Sequence, residues 1–178
     1  MPFTPLHMGP GILIKVVLQG SFSLMVFGWA QIVMDIQPLL VLLTGAGRLH
    51  GFTHTLIGAT LLALFATLSG KYLGEFGLRR LDMAKPDRPI VISWPVAAGS
   101  AFAGSYSHVW LDGIMHADVA PLYPFSNAND WLGLVSVGEL RGWCLASGGI
   151  GAAVFFAVQW GMKARQDKRG SQGGRYPP

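Results

Sequence analysis

Four of the five histidines in this 178-residue chain fall into two tight clusters. His50 and His54 are four apart, and His108, Asp112 and His116 follow one another at the same interval. On a helix, residues four apart share a face. Each cluster therefore offers converging imidazoles, with a carboxylate between them in the second. Histidine nitrogen and aspartate oxygen are ordinary Zn²⁺ ligands. The one cysteine, Cys144, lies in an apolar Gly/Ala-rich run and reads as a small buried hydrophobe, so no Cys-based zinc motif exists.

Asp35, at the end of an apolar run, and Asp118, just after the second cluster, extend the candidate set, as does His7 near the N-terminus. Taken singly these residues have plainer readings. His50 or His116 alone suits an interfacial anchor, Asp35 beside Pro38 suits a helix end, and Asp118 or Asp130 suits a solvated loop. His108 and Asp112 could also be partners in which one orients the other. Burying them separately in lipid repeats a cost of about 2.5–3.5 kcal/mol for each charged group. Pooling them around a shared cation removes much of it.

The elements that would position these groups belong to a membrane. Apolar residues make up 51% of the chain and charged residues 12%, with a mean hydropathy of +0.43. A soluble domain carries about 25% charged residues, so this chain has too few to coat an aqueous surface. We expect an all-α, polytopic transmembrane helix bundle of about four spans plus a short N-terminal helix. The spans are placed at about 21–36 (ended by Pro38), 53–72, 95–115 and 142–162. The 11–19 stretch is too short to cross alone. Ten of the 13 Lys and Arg lie in 71–88 or in the tail after 162. The positive-inside rule explains this better than nucleic-acid binding does, and puts both segments and the C-terminus in the cytoplasm. The expected domain is 1–162, followed by a basic disordered tail at 163–178. The His and Asp residues then gather at the outer ends of three helices.

Three stretches resemble the YdjM-like family of inner-membrane proteins regarded as metal-dependent hydrolases, which is distantly similar to zinc-dependent phospholipase C. Met34-Asp35-Ile36-Gln37 resembles the family's PDxD element. Leu49-His50-Gly51-Phe52-Thr53-His54-Thr55-Leu56 resembles its HRGFTHSL element. Ser107-His108-Val109-Trp110-Leu111-Asp112, running on to Pro121-Leu122-Tyr123-Pro124, resembles its SHxxxD element. The likeness covers about residues 5–126, in order. It implies metal-site roles for Asp35, His54, His108 and Asp112, and matches His7 to an early family histidine. Gln37 stands where the family has a second Asp, Leu49 where it has His and His50 where it has Arg. His50, His116 or Asp118 would then complete a shifted ligand set.

These readings lead to a membrane-bound hydrolase in the bacterial inner membrane. It would act on an ester or phosphoester of a lipid or lipid-linked substrate, with Zn²⁺ as the favoured ion. The expected ligands are His7, Asp35, His50, His54, His108, Asp112 and His116, with Asp112 or Asp118 as general base. The lipid bilayer and a small-molecule or lipid substrate are the expected partners, with no nucleic acid. The rivals are a metal- or proton-handling transporter component and a non-catalytic membrane protein with a structural metal.

Overall fold

A computed structural model describes residues 5–81 and 90–173. It contains five helices, α1 (Met8–Leu18), α2 (Leu24–Thr44), α3 (Leu56–Arg80), α4 (Trp94–Met115) and α5 (Val137–Gly173), and among the described residues no strand. Short 3-10 turns at Pro5–His7, Gln19–Ser21 and Phe52–His54 precede α1, α2 and α3. The all-helical expectation holds.

Three helices, α2, α3 and the Val137–Gly161 part of α5, are long and apolar enough to cross a membrane. At 22 residues α4 is one residue longer than the 21-residue α2, but its Gly, Ala and Ser residues and its ionisable pair lower its apolarity. It packs against both α2 and α3, so its polar groups point into protein, as polar groups at membrane depth must. Counting α4, the expected number of about four spans stands. Of the most apolar window, 44% is buried in α2 but only 11% in α5. The outer face of α5, with Leu145, Ile150, Phe156 and Trp160 exposed, is left for lipid.

The α2–α4 crossing depends on small residues. Val26 and Ala30 of α2, Ala66 of α3, and Ala97 and Ala101 of α4 form one buried cluster. A Cβ on Gly104 would come within 2.8 Å of the Phe27 carbonyl oxygen, so only glycine permits this approach. The other tight crossing joins α1 to α5, where a Cβ on Gly9 would lie 1.9 Å from the Cys144 carbonyl oxygen. This contact fixes α1, and with it His7. An 11-residue helix is about 16 Å long, so α1 leans on α5 without crossing. Lys15 then donates to the carbonyls of Gln19 (2.6 Å) and Phe22 (2.7 Å), closing the turn into α2.

Several boundaries differ from expectation. Helix α2 does not stop before Pro38 but runs through it to Thr44. Proline removes one backbone hydrogen bond, yet neighbouring helices make this tolerable inside a membrane bundle, and Pro38 is buried. Helix α3 begins at Leu56, not 53, because Thr55 caps it by accepting from Gly58 N at 2.9 Å. It then continues past residue 72 to Arg80. Helix α5 begins at Val137, five residues before the expected span. Ser136 and Glu139 form a capping box there: Ser136 N (3.1 Å) and Oγ (2.6 Å) donate to the Glu139 carboxylate, and Glu139 N donates to Ser136 Oγ (3.2 Å). The helix also continues to Gly173, through residues expected to belong to the tail. Residues 174–178, and Asp82 and Asp87 in the basic loop, lie outside the described residues.

At the end of the bundle where α3 finishes, Lys71 and Glu75 form a buried ion pair one turn apart. Glu75 also accepts from Ile92 N at 2.9 Å, and Arg79 approaches to 3.7 Å. The pair ties the end of α3 to the chain entering α4.

Candidate metal centre

At the opposite end of the bundle, α2 contributes Asp35 and, one turn earlier, Gln31. Both are buried. The chain leaves α2 at Thr44 and returns through a loop clamped by Gln37. The Gln37 amide oxygen accepts from Thr53 N (3.0 Å) and Thr53 Oγ1 (2.7 Å), and its nitrogen lies 3.4 Å from the Arg48 carbonyl. The clamp presents His50 and His54 to the bundle interior. Neither lies on an α-helix (His54 ends the 3-10 turn Phe52–His54), so the shared helix face expected from their spacing does not exist. Their rings nevertheless meet, with centroids 4.9 Å apart. The face does hold for His108 and Asp112 on α4. His116 caps that helix in an extended conformation, and its carbonyl accepts from Asn129 at 3.2 Å. His7 arrives from the turn before α1.

All eight expected residues converge. Asp112 lies at their centre. Its carboxylate is 3.2 Å from His54 Nε2 and 3.2 Å from His108 Nε2, 3.6 Å from His7 Nε2, 3.9 Å from His50 Nε2 and 4.0 Å from His116 Nε2. Asp35 lies 3.4 Å from His108 Nε2. Asp118, on the open side, accepts from His50 Nδ1 at 2.8 Å. Asp130 is exposed and belongs to none of these groupings.

The hydrogen bonds assign the tautomers of two rings. Gln31 donates its amide hydrogens to Gly104 O (3.2 Å) and Ser107 Oγ (3.3 Å), which leaves its oxygen to accept from His108 Nδ1–H at 2.6 Å. Thr53 donates its hydroxyl hydrogen to Gln37, so at 3.0 Å its oxygen accepts from His54 Nδ1–H. In each neutral ring Nε2 then carries a lone pair and faces a carboxylate oxygen. Two lone pairs at 3.2 Å repel unless a positive charge lies between them. His54 Nε2, His108 Nε2 and both His7 nitrogens are buried with no hydrogen-bond partner. Protonating the rings instead would place imidazolium charges side by side, since His7 and His54 lie 4.9 and 5.2 Å from His108 by ring centroid. A cation between these rings and the carboxylates would meet the Nε2 lone pairs of His54 and His108, which face Asp112 at 3.2 Å.

Burial, reinforced by the His108 ring, pushes the His7 pKa down to about 4 against the opposing pull of Asp112. Burial also lowers His54 and His116. These shifts favour the unprotonated form that a metal ligand needs. For Asp118 burial acts the other way, but the hydrogen bond from His50 prevails and holds it below the usual carboxylate range.

Four groups of three residues each bring ligand atoms within 4.8 Å of one another: His7/His108/Asp112, Asp35/His54/His108, His50/His54/Asp112 and His50/His116/Asp118. The first two are fully buried, and the last is the most exposed. The donor set fits a borderline divalent ion such as Zn²⁺, and the extent of the cluster leaves room for more than one. The sequence reading missed Gln31 and Thr53, which orient ligands in the way outer partners of metal-bound histidines do. Gln31 was detectable, since it lies one turn before Asp35 on the same face of an apolar helix. Gln37, expected to mark a lost ligand, is instead the loop clamp.

A family model described as YdjM inner membrane protein matches residues 16–167 of the chain. The match includes every residue of the cluster except His7. No curated protein and no solved structure matches the chain.

Proposed function

The chain belongs to the YdjM inner membrane protein family, and we propose that it is a membrane-bound, metal-dependent hydrolase. Its substrate in this reading is an ester or phosphoester of a lipid or lipid-linked compound. The observation that carries the reading is the Asp112 carboxylate ringed by five imidazoles, with buried Nε2 lone pairs that have no protein partner.

The buried groups His7/His108/Asp112 and Asp35/His54/His108 would hold metal inside the bundle, and His50, His116 and Asp118 would form the outer face of the cluster. A divalent cation there would supply Lewis acidity, drawing the pKa of a coordinated water from about 15.7 towards 7. The chain's own groups do the rest. Gln31 and Thr53 keep Nδ1 of two rings protonated and Nε2 free. Asp112 is too deeply enclosed to exchange protons with substrate, and we assign it as a ligand. Asp118, whose side chain is 46% exposed, is the group placed to take a proton from the attacking water. As the water oxygen bonds to phosphorus or to the acyl carbon, the bond to the ester oxygen breaks. The proton held by Asp118 then passes to the departing alcohol. The basic end of the bundle and the C-terminus would face the cytoplasm, which puts the cluster near the outer leaflet.

Elemental analysis of detergent-purified protein tests the metal. We expect at least one zinc-type ion per chain, and its loss from the His54→Ala, His108→Ala double variant. Metal-free wild-type protein, or full retention by the double variant, overturns the site. Hydrolysis of phospholipid and acyl-ester panels tests catalysis. If His54→Ala lowers only the melting temperature, and metal-replete protein hydrolyses nothing on either panel, the metal is a structural staple.

A further inference from the structure

A cavity of about 300 Å³ adjoins the metal centre between the end of α4 and the start of α5. His7 and His116 form one side. Leu111, Met115 and Leu140 make apolar walls, and Arg141 completes the lining as its one permanent cation. The position of Arg141 is unusual in this chain. The other described Lys and Arg side chains, apart from Arg48 in the loop after α2, are on α1 and the second half of α3, towards the far end of the bundle. Arg141 instead stands at the histidine end, where topology does not call for a cation. Among the described residues the carboxylates in ion pairs are joined to histidines or to Lys71 and Arg79, not to Arg141. Glu139, two residues earlier, is held by the Ser136 capping box. Arg141 also leads an α5 face that is otherwise turned to lipid.

We propose that this cavity is the substrate's binding site, that Arg141 is its anion-binding residue, and that the ligand is a bilayer lipid bearing a phosphate. The proposal rests on the hydrolase reading. Guanidinium presents a planar fork of donors that matches phosphate oxygens. The apolar walls accept the first methylenes of a chain entering from the lipid beside α5, while the side lined by His7 and His116 places the headgroup next to the metal centre. Arg141 is a specificity residue and takes no part in bond breaking.

The test measures binding of dodecyl phosphate to protein purified in a maltoside detergent, with metal content recorded for every sample. Arg141→Gln should weaken binding about tenfold or more, the loss expected for a charge-assisted hydrogen bond, while leaving the metal content unchanged. Arg141→Lys should recover part of the affinity. Equal affinity in wild type and Arg141→Gln overturns the proposal, as does loss of metal from Arg141→Gln. Inorganic phosphate binding as tightly as dodecyl phosphate removes the lipid from it. A measurement on the unsubstituted chain covers the case in which the variant fails to fold. Cys144 lines the same cavity, so dodecyl phosphate should slow its alkylation by a maleimide, and zwitterionic dodecylphosphocholine at equal concentration should not. Equal protection by both, or by neither, overturns the proposal. Metal-free wild-type protein that still binds dodecyl phosphate through Arg141 would sink the hydrolase reading and leave the subsite standing.

Discussion

Glu75 and Asp112 are both buried carboxylates in the same helix bundle, one at each end, and their surroundings differ in kind. Glu75 has Lys71 one turn away, a backbone N–H from Ile92 and Arg79 at the rim. Its charge is matched by protein cations, and its oxygens are matched by protein donors. Asp112 has five imidazole nitrogens within 4.0 Å and no Lys or Arg in ion-pair contact among the described residues. In their neutral form two of those rings turn an Nε2 lone pair to the carboxylate, since their Nδ1–H groups are directed to Gln31 and Thr53. The first arrangement is complete as it stands. The second has no Lys or Arg counter-charge among the described residues, and the proposed metal ion would supply one.

The comparison breaks most directly at Asp112. Asp112→Ala should reduce bound metal to background, because Asp112 is common to two of the four ligand groups and adjoins every ring. Retention of more than half the wild-type metal would show that the inner site has been drawn around the wrong carboxylate. The matching change at the other end is Glu75→Gln. It leaves Lys71 buried and unpaired, and should cost about 3–5 kcal/mol of stability while metal content stays at the wild-type level. Replacing both Lys71 and Glu75 with Met should restore most of that stability, since breaking a buried pair costs far more than deleting it. Chemical denaturation in mixed micelles reads the first effect, and elemental analysis of the same samples reads the second. Metal loss from Glu75→Gln would mean that the two ends are not independent.

Much of this contrast is legible in the residues. His108 and Asp112 lie on one face of α4 as their spacing requires, and Asp35 lies in an apolar span where an acid demands a partner. The low charge content and the basic segments pointed to a helical membrane bundle. What was not legible depended on local competition between signals. Pro38 outweighs helix propensity in water, but packed inside a bundle it costs less, so α2 continues. Thr55 captures the start of α3, which leaves His54 in a 3-10 turn and makes the four-residue spacing from His50 coincidental. Lys71 counts with the basic cytoplasmic segment in the sequence, and its pairing with Glu75 is hidden there because a buried i,i+4 pair and an exposed one have the same sequence. The roles of Gln31 and Thr53 come from the direction of single hydrogen bonds, which residue types do not encode.

Gln31 sharpens the comparison at a finer level. Gln31→Leu removes the acceptor of His108 Nδ1–H without touching a ligand. Loss of such an outer partner typically lowers metal affinity about 10–100-fold, which competition with a chromophoric chelator would measure. Unchanged affinity would mean that His108 is oriented by packing alone. A smaller effect concerns pH. Because the pKa values of His7, His54 and His116 are lowered, protons compete with the metal at those three rings less than at an ordinary histidine. Affinity should collapse as the pH approaches about 4, where His7 takes up a proton. Release of half the metal near pH 6.5 would show that the rings titrate as if exposed.

The smallest expected effect is at Ser136. Ser136→Ala removes the hydroxyl that accepts from Glu139 N and donates to the Glu139 carboxylate, and a lost N-cap costs about 1 kcal/mol. Its value lies in what it should leave alone. None of the candidate ligands lies on α5, so metal content should not change. The first turns of α5 nevertheless carry Leu140, Arg141 and Cys144 into the cavity beside His7 and His116. Fraying them frees Glu139 two residues from Arg141 and loosens the cavity wall. The variant should therefore keep its metal, bind dodecyl phosphate more weakly, and expose Cys144 to faster alkylation. If all three quantities move together, α5 is part of the metal centre itself, and the separation between a site that holds the ion and a wall that selects the lipid is lost.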